Sequence, residues 1–124
     1  VCFQNFKIVF VDYPILSETS EIAARASLAA HEQKAYFKFH SILLNNSQSI
    51  NEDYIYKVAL NLGLDIKKFK QDMASSKIKK SILSNVKLAR SLNIRGTPTF
   101  IIKDQILPGA YDYDKLEKII LDNS

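Results

Sequence analysis

Cysteine is nearly absent from this chain, and that absence excludes a good deal. Cys2 is the single one, so no intrachain disulfide can form and cysteine usage assigns no redox compartment. A flexible terminal thiol is the default reading of Cys2; pairing with a thiol of another molecule ranks next, and a catalytic role last. Long apolar runs are missing too. No stretch approaches the ~20 consecutive apolar residues of a membrane span, and no secretory leader is read at the start. Histidine is scarce: His31 and His40 lie on separate helical segments, with no cysteine partner and no His-x-x-x-His spacing. Packing or surface roles are expected of them, with no metal site and no cofactor. No internal repeat or low-complexity segment is present.

What is present reads as one globular domain. The chain has 124 residues, 47% hydrophobic and 24% charged, which suffices for a core. Lys and Arg number 17 against 13 Asp and Glu, a net charge of +4. The basic residues Lys67, Lys68, Lys70, Lys77, Lys79, Lys80 and Lys87 are interleaved with apolar ones at helical spacing. That is the pattern of a solvated helix face, and without a groove-reading or base-stacking motif no nucleic-acid partner is expected.

Taken in order, Lys7 to Val11 is a continuous apolar run closed by Asp12-Tyr13-Pro14, which predicts a strand buried on both faces. From Ser17 to Leu92 the period is helical. Ser20 is the expected cap of a first helix with Ile22, Ala23, Ala26 and Ala29 or Ala30 on one face; alanines permit close helix packing. Tyr36, Phe37, Phe39, His40, Leu43 and Leu44 continue as an aromatic-rich helix, followed by a polar loop from Asn45 to Ser49. Asn51 caps the next helix, Ile50 and Ile55 take the positions of a hydrophobic staple, and Gly63 ends it. Asp65 starts a short helix that packs Ile66, Phe69 and Met73. Ile78, Ile82, Val86 and Ala89 then mark a long amphipathic helix ending near Asn93. Phe37, Phe39, Tyr54, Tyr56 and Phe69 are expected in the core, and Glu52-Asp53 and Asp112/Asp114 at helix N-termini, where the dipole favours them.

Strands return after Ile94. Thr99 to Ile102, a Lys103-Asp104-Gln105 turn and Ile106-Leu107-Pro108 predict an antiparallel hairpin with Pro108 on an edge, before a last helix capped by Asp112 that buries Leu116, Ile119 and Ile120. The stretch Arg95-Gly96-Thr97-Pro98 leads into this hairpin. Proline cannot donate into a ladder and so belongs at a strand's first position; its X-Pro bond in such a turn is a candidate for the cis form. Alone, this reads as a plain turn feeding a strand; with a cis bond, the outward backbone N–H and C=O of Thr97 could also pair with an extended peptide.

The segments Val9-Phe10-Val11-Asp12-Tyr13-Pro14-Ile15-Leu16, Ala23 to Ala30, Phe39-His40, Leu62-Gly63-Leu64-Asp65, Gly96-Thr97-Pro98-Thr99-Phe100 and Leu107-Pro108-Gly109-Ala110 together resemble the DsbA family of thiol-disulfide oxidoreductases. The resemblance covers nearly the whole chain. It implies an α/β, thioredoxin-like fold with an inserted helical domain, in which Thr97-Pro98 matches the cis-proline loop that touches substrate, so that Gly96, Thr97 and Pro98 are the expected substrate-binding residues. It also implies a departure: that family places a first strand and a Cys-x-x-Cys helix before the strand expected at Lys7, and neither is found here. The expectation is thus an N-terminally truncated thioredoxin-like fold. Residues 1–16 and 93–124 form the thioredoxin-like portion and 17–92 the helical insertion.

The resemblance further implies an extended peptide or protein substrate and a periplasmic or exported location. Dithiol exchange needs a low-pKa thiolate and a second thiol to resolve the mixed disulfide. With Cys2 alone, the chain is expected to be redox-inactive by itself. Loss of the first strand would leave sheet edges exposed, closed by pairing of the Lys7–Val11 and Thr99–Ile102 strands, by a homodimer or by a strand-complementing partner. The competing expectation is a non-enzymatic peptide- or partner-binding module derived from the family.

Overall fold

The computed structural model describes residues 7–14, 17–46 and 49–123, and Cys2 lies outside them. The chain divides into two compact units, Val1–Val86 and Lys87–Ser124. The first contains α1 (Glu18–His31), α2 (Tyr36–Asn45), α3 (Glu52–Asn61), α4 (Ile66–Met73) and most of α5 (Ser76–Ser91). The second contains the end of α5, strands β1 (Thr99–Ile102) and β2 (Gln105–Pro108), and α6 (Tyr113–Asp122).

Capping chemistry sets where the helices begin. Asn51, Asp65 and Asp112 each accept a backbone N–H from three residues on, from Tyr54, Lys68 and Lys115 respectively. The cap of α1 is Ser17, not Ser20: Ser20 is already helical and donates its own N–H to the Ser17 hydroxyl at 3.3 Å. Glu18 and Glu21 in the first turn favour the earlier start through the helix dipole. Gly63 follows α3 at a φ of 75°, a conformation open to glycine at little cost.

The core of the first unit is built around the alanine face of α1. Ala24, Ala26, Ala29 and Ala30 are buried together with Phe39 and Leu43 of α2, Ile55, Val58 and Ala59 of α3, Phe69 of α4, and Ile78 and Ile82 of α5. Small side chains on α1 let its neighbours approach closely, so the bulky residues come from the opposing helices. Phe39 and Phe69 lie 5.5 Å apart between ring centroids, and Tyr56 meets Phe69 edge-on at 6.3 Å. Full burial of a side chain of this size contributes roughly 1.5–3 kcal/mol. Phe37, expected in the core, is instead 53% exposed. It occupies the second position of α2, and the face that buries Phe39 and Leu43 turns Phe37 outward.

The strand expected at Lys7–Val11 does not form. Residues 7–14 have no regular secondary structure, and Ile8, Val9, Phe10 and Val11 are exposed. An apolar run of this kind becomes a buried strand only beside ladder partners and under covering layers. Among the described residues the sheet is two-stranded, β1 with β2.

In the second unit β1 and β2 pair antiparallel, Thr99 opposite Pro108 and Ile102 opposite Gln105. The turn is thereby two residues, Lys103-Asp104, with Lys103 at a φ of 53°. A positive φ at the first central position suits the twist of a hairpin. Gln105 belongs to the strand because its partner is Ile102. In α6 the apolar residues Leu116, Ile119 and Ile120 are half-buried.

Candidate functional site

Gly96, Thr97 and Pro98 are all exposed, and the Thr97–Pro98 peptide bond is cis. Two hydrogen bonds hold the turn from either side. The Thr99 hydroxyl donates to the Gly96 carbonyl at 2.8 Å, and the Gly109 N–H donates to the Pro98 carbonyl at 3.0 Å. The second bond extends the register that sets Pro108 opposite Thr99, so the turn is tied to the end of the hairpin. Phe100, one residue into β1, meets Tyr111 edge-on at 6.1 Å. Between these ties, the N–H and C=O of Thr97 make no hydrogen bond among the described residues. An exposed residue with both peptide groups unpaired, at the mouth of a short sheet, is equipped to accept a further extended backbone.

A second cluster lies within the first unit and is centred on Asp12. Its side chain is about 10% exposed. Tyr36 donates its hydroxyl to Asp12 Oδ2 at 3.0 Å, His40 Nδ1 stands 3.8 Å from Asp12 Oδ1, and Asn85 Nδ2 donates to the Asp12 carbonyl at 3.1 Å. Tyr36 and His40, one helical turn apart on α2, stack at 5.2 Å with 13° between their planes. The Phe10 ring approaches both, at 6.2 and 6.3 Å. Burial pushes the Asp12 carboxyl above its usual range, while the charge of His40 and the Tyr36 hydrogen bond pull the other way and offset only part of the rise. The Tyr36 phenol is also pushed up, by burial first and then by the negative carboxylate beside it.

Sequence reasoning placed His40 as a packing residue and did not connect it to Asp12. Two signals were available: an acid at the end of an apolar run, and an aromatic and a histidine at i, i+4 on one helix face. Neither reveals that the segment before α1 folds back against α2, which is a tertiary event. His31 meets the edge of Tyr36 at 6.2 Å. Among the described residues no three His, Cys, Asp or Glu side chains gather as a metal site, and no helix is long and apolar enough to cross a membrane.

The family model for the DSBA-like thioredoxin domain matches residues 4–121. Among solved structures, the thiol-disulfide exchange protein alpha-DsbA2 from Wolbachia pipientis superposes with a TM-score of 0.87 at 32% identity, covering 94% of this chain and 64% of that one. The probable disulfide bond formation protein D of Bacillus anthracis is 23% identical over 123 residues, 92% of this chain and 56% of that protein. The Na(+)/H(+) antiporter NhaA 3 of Salinispora tropica is 28% identical over 102 residues, 82% of this chain but 16% of that protein. The chain thus spans less than two thirds of the length of each of these relatives.

Proposed function

Because this chain belongs to the DSBA-like thioredoxin domain family, we propose that it is the substrate-holding part of a thiol-disulfide oxidoreductase, with the exchanging dithiol supplied from outside these 124 residues. The observation that carries this reading is the turn Gly96-Thr97-Pro98, exposed and with the peptide groups of Thr97 unpaired, at the position where the family resemblance expects substrate contact. Thr97 pairs through its N–H and C=O with an extended segment of the substrate protein. Gly96 has open space where a Cβ would stand, so the incoming backbone meets no side chain there, and Pro98 leads into the strand. In this reading residues 1–16 and 93–124 make the thioredoxin-like portion, 17–92 the helical insertion, and the protein works in an exported compartment.

The thiol arithmetic supports the division of labour. Exchange begins with a thiolate attacking a disulfide sulfur, forming a mixed disulfide and releasing one thiol; a second thiol must then attack to free the substrate. Cys2 alone would stop at the mixed disulfide. The test is an insulin-reduction and dithiol-oxidation assay on the chain alone, then with an added polypeptide carrying a strand and a Cys-x-x-Cys helix. No turnover alone and restored turnover on addition support the reading. Robust turnover by the chain alone that survives Cys2→Ser overturns it.

The single cysteine also favours a second reading, a non-enzymatic module that binds peptides or partners through the Thr97 edge, by strand addition or by self-association. Continued inactivity in the complementation assay, combined with retained peptide binding that is lost in Thr97→Pro, distinguishes that module from the split enzyme. Light scattering on the purified chain reads the self-association directly.

A further inference from the structure

We propose that the cleft between the turn after α1 and the turn after α3 is a docking site for an acidic linear peptide bearing a short apolar anchor. The cleft lies wholly within the first unit, holds about 520 Å³, and is open to solvent. That volume is within the roughly 300–1,000 Å³ range of ligand clefts. The proposal goes beyond the thiol-exchange reading and does not rest on it.

Three features define what fits. Phe37, Leu62 and Leu64 supply an apolar wall. Phe37 is more than half exposed although Phe39, two residues on, is fully buried, so an anchor side chain against it would remove apolar surface that the fold leaves wet. Lys34 and Lys38 supply the charge, and no carboxylate side chain lines the cleft. Lys68 and Lys77 pair with Asp72 and Glu32; the ammonium groups of Lys34 and Lys38 have no such partner among the described residues. Two unpaired cations beside an exposed phenyl ring select an occupant that is acidic and apolar at once, since charge-assisted hydrogen bonds are about twice as strong as neutral ones.

The third feature is rigidity. The Gln33 side chain donates through Nε2 to the Asp65 carbonyl at 3.1 Å and accepts the Asp65 N–H at 2.8 Å. This reciprocal clamp ties the two turns together and holds the cleft open before any partner arrives. Lys34 also sits at a φ of 61°, a region uncommon for lysine. That conformation closes α1: the Ala35 N–H donates to the Ala30 carbonyl at 2.9 Å, as the Leu64 N–H does to the Ala59 carbonyl after α3. An open cleft lined by cations and apolar side chains suits a chain lying across it better than a compact molecule that would need enclosure. The net charge of +4 favours encounter with acidic partners in general.

The test uses a fluorescein-labelled hexapeptide in which four glutamates flank a Leu-Phe pair, titrated by fluorescence anisotropy at low salt. Saturable binding is expected, with amide shift changes in a ¹⁵N spectrum confined to residues 33–38 and 62–64. The double variant Lys34→Asn/Lys38→Gln should weaken binding about threefold or more, since each exposed ion pair that is lost contributes only a small factor. Asparagine is chosen because it tolerates positive φ. The control Lys67→Gln/Lys80→Gln removes the same charge elsewhere and should bind as the parent does. Replacing the Leu-Phe pair by two serines should abolish binding. The proposal is overturned if the two double variants bind equally, if the serine peptide binds as well as its parent, or if no saturation is reached below millimolar peptide.

Discussion

The Tyr36 hydroxyl lies 3.0 Å from Oδ2 of Asp12, and this bond joins the segment that precedes α1 to the first turn of α2. The same acid is bonded through its carbonyl by Asn85 of α5. Asp12 therefore anchors residues 7–14, which have no sheet to hold them, to two helices at once.

Removing the phenolic hydroxyl should be felt at this anchor. Tyr36→Phe keeps the ring against His40 and Phe10 but leaves the Asp12 carboxyl without its donor. A cost of about 1–2 kcal/mol is expected from the loss of a hydrogen bond to a buried ionisable group. Urea denaturation of the two proteins measures it, and equal midpoints would show that solvent replaces the bond without penalty.

The pH dependence of stability follows from the direction of the Asp12 shift. The folded protein binds the Asp12 proton more tightly than the ordinary value of 3.8 implies, chiefly because burial disfavours the charge. Stability linked to that proton is complete below 3.8 and is lost as pH rises through the higher folded value. Asp12→Asn is neutral at every pH. The melting temperature of the parent relative to Asp12→Asn should thus rise as pH is lowered from 7 toward 4, measured by calorimetry. A difference that is flat or falls on acidification contradicts the assigned direction.

The packing around α1 predicts a cost both for volume removed from its neighbours and for volume added on α1 itself. Phe69→Ala empties the centre of the aromatic cluster and should cost about 3–5 kcal/mol. Ala29→Leu forces volume into a position with no exposure and should cost about 1–3 kcal/mol by overpacking. Chemical denaturation reads both. Near-parental stability in Ala29→Leu would show that α1 can move away from its neighbours.

Gly63 separates backbone cost from steric cost. No atom lies within 4 Å of a Cβ built there, yet its φ is 75°. Gly63→Ala should lose about 1–2 kcal/mol through the left-handed conformation alone, and Gly63→Asn less. The thermal shift of each variant measures this; a parental melting temperature in Gly63→Ala would mean the turn relaxes to another conformation.

Much of the helical block was legible in advance because its signals are local. Asn51, Asp65 and Asp112 announce their helices by side-chain chemistry that acts within three residues, and the spacing of Ile78, Ile82, Val86 and Ala89 fixes the buried stripe of α5. Ser17 and Ser20 were less separable, since either can cap and only the preference of the two glutamates for the first turn distinguishes them. The hairpin was legible too, because proline and the turn residues restrict backbone geometry wherever they stand.

The sequence by itself thus determined the helices, the hairpin, the turn at Gly96-Thr97-Pro98 and the family resemblance, all of which rest on residues near one another in the chain or on their order. Tertiary structure alone decided three things. Lys7–Val11 is an exposed segment without regular structure, because a strand exists only through partners distant in sequence. Phe37 faces outward, because which stripe of a helix is buried depends on what its neighbours cover. Asp12, Tyr36, His40 and Asn85 meet, because a hydrogen bond spanning up to 73 positions in the chain leaves no trace in local spacing.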